Sequence, residues 1–187
     1  MTLLYIGILL FGGSHLFSAL FPPIRNRLKA WLGEGRYKGF YSVVSAIGLG
    51  LMFWGYALSR DNGEMLYLPS FGASHATMLL ALLGFISISA FHGKGYIKYW
   101  LQNPFSVGIG LWSIGHLIAN GKTSVVLIFA TFLIVSAIDV VSNMARGNKP
   151  MFEPRVKSDV IAVVVGLVIY ALLIFVFHPY VIGVKVL

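Results

Sequence analysis

Two histidines of this chain sit inside apolar runs, each among small residues: His15 in FGGSHLFSAL and His116 in SVGIGLWSIGHLIANG. A neutral imidazole has two polar nitrogens, and leaving one without a partner in hydrocarbon costs roughly 2–7 kcal/mol. Ionisable residues at membrane depth are therefore functional-site candidates by default. Gly12 lies one turn before His15, and Ser18 and Ala19 lie one turn after it. Gly115 adjoins His116, and Trp112 stands one turn before it on the same helical face.

Four chemistries could satisfy such a pair. A plain interhelical hydrogen bond is worth only about 1 kcal/mol. A proton relay usually adds buried carboxylates, whereas Asp139 lies near the inner end of its apolar run, within reach of Arg146 or Lys149. A non-haem facial triad needs a carboxylate and further ligands that the apolar runs do not offer. Haem b needs two opposed imidazoles and a flat slot. Small residues beside the ligands would admit a porphyrin, Trp112 would wall one side, and Arg25 and Arg27 would face its propionates. This spacing favours haem over each other option taken singly and leaves all four open.

The surrounding elements follow from composition. The chain has 187 residues, 58% of them hydrophobic and only 11% charged, with a mean hydropathy of +0.84. A soluble domain runs nearer 25% charged, so the solvent for most of this surface is lipid. Residues 3–21 are long enough to remain as a span and lack the basic flank of a cleavable signal peptide. There is no cysteine. Disulfides, iron–sulfur ligation, covalent haem attachment and a cysteine nucleophile are thereby excluded.

Six apolar stretches stand out, at about 3–21, 39–59, 73–92, 104–119, 123–142 and 159–178. They predict an all-α, polytopic bundle of about six helices, a single integral-membrane domain over 1–187. The fourth stretch is short, and Asn120-Gly121-Lys122 closes it in the manner of a helix stop, so the fourth and fifth read as a tight helical hairpin. Ser42, Ala46 and Gly50 form a small-residue stripe that suits close helix packing. Trp54, Tyr56, Tyr67, Tyr99 and Trp100 fall near span ends, where interfacial aromatics anchor.

Charge tests the topology. Arg25, Arg27, Lys29, Arg36 and Lys38 lie between the first two spans, and Lys94 and Lys98 between the third and fourth. Arg146, Lys149, Arg155 and Lys157 lie between the fifth and sixth. Only Arg60, Lys122 and Lys185 fall on the opposite side, together with Asp61 and Glu64. The positive-inside bias puts these basic loops in the cytoplasm and both termini in the periplasm of a bacterial inner membrane. The net charge of +8 is thus a matter of topology and lipid, and no nucleic-acid partner is expected. By helical rise His15 stands ~9 Å and His116 ~18 Å from the inner ends of their spans. His92 falls at an inner boundary, and His75 and His178 at outer ends, where water or a head group would satisfy them.

Three runs of residues resemble the NnrU family of bacterial membrane proteins. They are His15 followed by Arg25 and GEGRYKGFYSVVSAIGL (33–49), the central NPFSVGIGLWSIGHLIANG (103–121), and the closing DVIAVVVGLVIYALLIFVFHPYVIGV (159–184). The family is related to the 15-cis-zeta-carotene isomerases, which use haem b to isomerise a double bond in a linear carotenoid precursor. The resemblance implies haem b with His15 and His116 as the iron ligands. Two departures bear on chemistry: Asn103 stands where relatives commonly have histidine before Pro104, and Ser113 where the isomerase branch can carry cysteine. A histidine-to-sulfur ligand exchange is therefore excluded here.

Three functions remain open at this point. One is redox-dependent cis–trans isomerisation of an apolar polyene. The second is a haem-bearing accessory, sensor or electron-transfer protein of nitrite and nitric oxide metabolism, with nitric oxide as ligand and a redox partner. The third is a cofactor-free membrane assembly factor whose histidines bond across helices.

Overall fold

In the computed structural model, residues 1–59, 63–147, 149–184 and 186 are described; Arg60, Asp61 and Lys185 of the charge argument lie outside them. Among the described residues there are eight α-helices: α1 (Thr2–Leu20), α2 (Pro22–Leu32), α3 (Glu34–Ser59), α4 (Ala73–Ser89), α5 (Tyr96–Leu101), α6 (Pro104–Ala119), α7 (Thr123–Ala145) and α8 (Val156–Leu172). A 3₁₀ turn, Ala90–His92, extends α4, and a π-helical stretch, Leu173–Ile182, extends α8. Among the described residues the fold is all-α.

Five of these segments are long and apolar enough to cross a membrane: Thr2–Leu20, Glu34–Ser59, Ala73–His92, Thr123–Ala145 and Val156–Ile182. The chain is an integral membrane protein. The sixth expected span, α6, has 16 residues, or ~24 Å at the α-helical rise, short of a full crossing without help from its ends. The three-residue link to α7 is as brief as expected. Outward faces are greasy: Leu9, Phe40 and Trp54 are all well exposed, as lipid-facing residues are.

The chain divides into two compact units. The first comprises Met1–Leu68 and Asn120–Ser142, and the second Pro69–Ala119 and Asn143–Leu187. In the first unit α1 packs along α3, and glycine sets the approach. A Cβ added to Gly7 would stand 2.5 Å from Met52 N and 2.7 Å from Gly48 O, and one on Gly48 would stand 2.5 Å from Phe11 N. Gly55 meets the backbone of Leu4 in the same way. The contact stripe on α3 is therefore Gly48–Met52–Gly55. The expected stripe of Ser42, Ala46 and Gly50 is exposed, because it lies about half a turn from the face that meets α1.

The segment between α1 and α3, which its basic residues alone mark as a loop, is helical. Pro22 lacks the N–H to continue α1 and restricts Phe21, so α1 stops at Leu20. Pro22 and Pro23 then open α2, where a missing N–H costs nothing. Gly33, at φ 83°, closes α2. No residue of α2 is buried, and Trp31 is 81% exposed, which suits a basic, interfacial helix.

In the second unit α4 packs against both α6 and α8. A Cβ on Gly84 would lie 2.8 Å from Gly108 O, so α4 and α6 meet nearly backbone to backbone. Two hydroxyls fasten the same seam: Ser87 donates to Pro104 O (2.7 Å) and Thr77 to Gly115 O (2.6 Å). Gly166 of α8 fits against Ile86. The Asp159 carboxylate accepts hydrogen bonds from the backbone N–H groups of Tyr96 (2.8 Å) and Ile97 (3.0 Å), capping α5 from a distant part of the chain.

Candidate functional site

His15 stands in the last turns of α1, half-buried. Its Nδ1 lies 2.8 Å from Phe11 O, four residues back. A carbonyl only accepts, so Nδ1 carries the proton and Nε2 carries the lone pair. That is how a ligating imidazole is usually held, one nitrogen fixed by a backbone carbonyl so that the other is aimed. The ring leans on Phe11 (centroids 4.3 Å) and faces Tyr41 (5.3 Å), which is followed by Tyr37 (6.5 Å). Nearby, Ser14 and Ser45 share a hydrogen bond of 3.2 Å.

Gly12, on the turn before, is buried, and a Cβ there would lie 3.1 Å from Thr131 Cγ2. Its bareness serves the approach of α7. Gly13, by contrast, has nothing within 4 Å of its missing Cβ, and it lies about half a turn from His15, on the face of α1 turned away from the ring. Arg25 reaches back from α2 to donate to Ser18 O (3.1 Å), one of the carbonyls left over at the end of α1, and to Asn26 Oδ1 (3.2 Å). Arg27 is exposed on the same helix.

His116 repeats the arrangement of His15 in the second unit. Its Nδ1 donates to Trp112 O at 2.9 Å, again four residues back, leaving Nε2 as the lone-pair nitrogen. The Trp112 indole stands edge-on to the ring (5.2 Å) and packs in turn on Phe85 (6.1 Å). Thr77 fixes the backbone one residue earlier, at Gly115. Ser113, where a relative can carry cysteine, is fully buried and donates to Ile109 O (2.7 Å). Asn103 caps α6 by accepting from Ser106 N (3.3 Å), a structural use for the residue that stands in place of histidine.

The ANG ending of this segment is also architectural. Asn120 Oδ1 accepts from Lys122 N (3.0 Å), Gly121 O accepts from Leu66 N (2.8 Å), and Thr123 N donates to Glu64 O (2.9 Å). These bonds pin the 64–66 segment to the start of α7.

His15, Gly12, Arg25 and Arg27 thus belong to the first unit, and His116 and Trp112 to the second. His75 and His92 are exposed, as interfacial residues are. His178 is different. Its ring is half-buried and lies 6.3 Å from that of His116, with the planes 25° apart. Its position near the end of a span predicts only water or a head group as partner, and the structure adds the second imidazole. What sequence reading lacked was the packing of both α6 and α8 on α4 and the widened turn before Pro179; the HP dipeptide was the one available signal.

An all-α chain whose described residues include five helices long and apolar enough to cross a membrane is an integral membrane protein. The family model for NnrU protein matches residues 3–186, and the chain belongs to the NnrU family. No curated protein and no solved structure matches it.

Proposed function

We propose that this chain is a haem b-binding member of its family, with His15 and His116 as the axial ligands. One observation carries the reading: both Nδ1 atoms are bonded to the carbonyl four residues back, so each helix offers an Nε2 lone pair of fixed direction. The residues around them suit such a cofactor. Phe11 and Tyr41 pack around His15, and Trp112, backed by Phe85, packs against His116, an apolar setting for each imidazole. Arg25 and Arg27 bring positive charge for the propionates, although part of the Arg25 guanidinium is engaged by Ser18 and Asn26.

Bound haem would supply a redox-switchable iron, and the protein's part is orientation and an apolar setting. The activity we propose is redox-dependent cis–trans isomerisation of an apolar polyene, which the aromatic lining suits. The basic segments, α2 among them, face the cytoplasm of a bacterial inner membrane in this reading, with both termini periplasmic.

Colour tests the cofactor. Protein purified in mild detergent should show a Soret band and, when reduced, the split visible bands of low-spin iron. Reconstitution with a cis-polyene and a reductant tests the activity. A fully loaded protein that forms no isomerised product, yet shifts its spectrum with nitric oxide, moves the function to nitric oxide metabolism. A colourless protein that cannot be loaded overturns the haem reading.

A further inference from the structure

Within the second unit, His116 already has an imidazole neighbour. His178 donates its Nδ1 proton to Leu173 O (2.7 Å), five residues back in the π-helical stretch. Its Nε2 is therefore a lone-pair nitrogen, as in His116. Pro179 accounts for the π geometry: its ring would clash with the carbonyl four residues earlier in a regular helix, and the wider turn relieves this. π-turns of this kind recur at functional sites. The stretch is closed by Gly183 at φ 77° and by the bond from Val184 N to His178 O (3.0 Å).

The spacing is informative. Metal–nitrogen bonds of about 2.0 Å and ring radii of about 1.1 Å put the centres of two imidazoles on opposite sides of one metal roughly 6 Å apart. The observed separation is 6.3 Å, with the planes 25° from parallel. Depth points the same way, since by helical rise His15 and His116 differ by ~9 Å along their spans, whereas His178 ends a span on the side that His116 approaches.

We propose that His178 is a second, exchangeable axial ligand for the iron carried by His116, replacing His15. This rests on the haem reading above. In the exchange one iron–nitrogen bond breaks and another forms between neutral imidazoles. Each keeps its Nδ1 proton on its own carbonyl, so no proton or electron is transferred.

The test uses the full chain, loaded with hemin, and reads spin state by electron paramagnetic resonance and visible absorption. His15→Ala should remain low-spin and six-coordinate, and His15→Ala combined with His178→Ala should become high-spin. A loaded His15→Ala protein that is high-spin whether or not His178 is present overturns the exchange and leaves the haem reading standing. A wild-type protein that takes up no haem overturns both. If His15→Ala loses its haem, the single His178→Ala variant decides by carbon monoxide binding to the ferrous form. Removing a ligand that shares the iron with His15 should speed association, by about twofold where the two hold it equally, because a larger fraction of the iron is then open. An unchanged rate overturns the proposal.

Discussion

Thr77 Oγ1 lies 2.6 Å from the carbonyl oxygen of Gly115, the residue that immediately precedes His116. The same hydroxyl is 2.8 Å from Ala73 O in its own helix, so one donor serves two carbonyls across the α4–α6 seam. Gly115 permits this approach, since a Cβ there would stand 3.2 Å from Thr77 O. Thr77→Val keeps the shape and removes the donor. Interhelical hydrogen bonds in membranes average about 0.6 kcal/mol, so unfolding in mixed micelles should show a loss near that size, restored by Thr77→Ser. Gly115→Leu should do more, shifting α6 and lowering haem retention in the absorption spectrum.

The two histidines proposed as ligands should respond unlike the exposed ones. His116→Ala should remove most of the bound haem on purification, because both proposed ligand pairs include it. His75→Ala and His92→Ala should leave the Soret intensity at the wild-type level, since both rings are exposed. Equal loss in all three variants would point to general destabilisation rather than ligation.

Two glycines of α3 separate packing from propensity. A Cβ at Gly48 would press to 2.5 Å from Phe11 N and 3.0 Å from Leu10 Cβ, while Gly50 has nothing within 4 Å. Gly48→Val should force α1 off α3 at a cost of about 1–3 kcal/mol, the usual range for overpacking. Gly50→Val should stay within about 0.5 kcal/mol of the wild type, as outward substitutions do. Thermal unfolding in detergent, with helicity as readout, compares them.

The spans were legible because lipid demands long apolar runs, and α6 and α7 begin where sequence alone placed them. The stripe on α3 was not. Ser42, Ala46 and Gly50 match the same small-residue rule as Gly48 and Gly55, and only the partner helix tells the two faces apart. Helix α2, at 11 residues, is too short to read as a span, yet Ile24, Leu28, Trp31 and Leu32 stand at i, i+4, i+7 and i+8, and Pro22 and Gly33 mark its ends. His15 and His116 stood out through burial in sequence. Their shared Nδ1 bonds depend on side-chain rotamers, and the approach of His178 to His116 depends on packing onto α4. Sequence spacing encodes neither.

Asp159 offers a measure of long-range capping. Its two carboxylate oxygens accept from Tyr96 N and Ile97 N, at the start of a helix of six residues. Gly95 makes room, since a Cβ there would run into the carboxylate. Asp159→Ala should cost about 0.5–2 kcal/mol, the range for losing a cap, and hydrogen exchange at Tyr96 and Ile97 should accelerate. Asp159→Asn retains one acceptor and should fall between.

The absence of cysteine makes the chain its own background for mapping topology. Single cysteines at Lys29 in α2 and at Lys94 before α5 replace basic residues that the positive-inside rule assigns to the cytoplasm. A cysteine at Glu64 lies in the segment bonded to the start of α7 by Thr123 N, one crossing away in sequence from Lys29 and one from Lys94. In intact bacteria, an impermeant maleimide should label Glu64→Cys and spare the other two. Lysed cells should show all three labelled. Labelling of Lys29→Cys in intact cells would invert the orientation, and labelling of only one of Lys29→Cys and Lys94→Cys would break the even number of crossings between them.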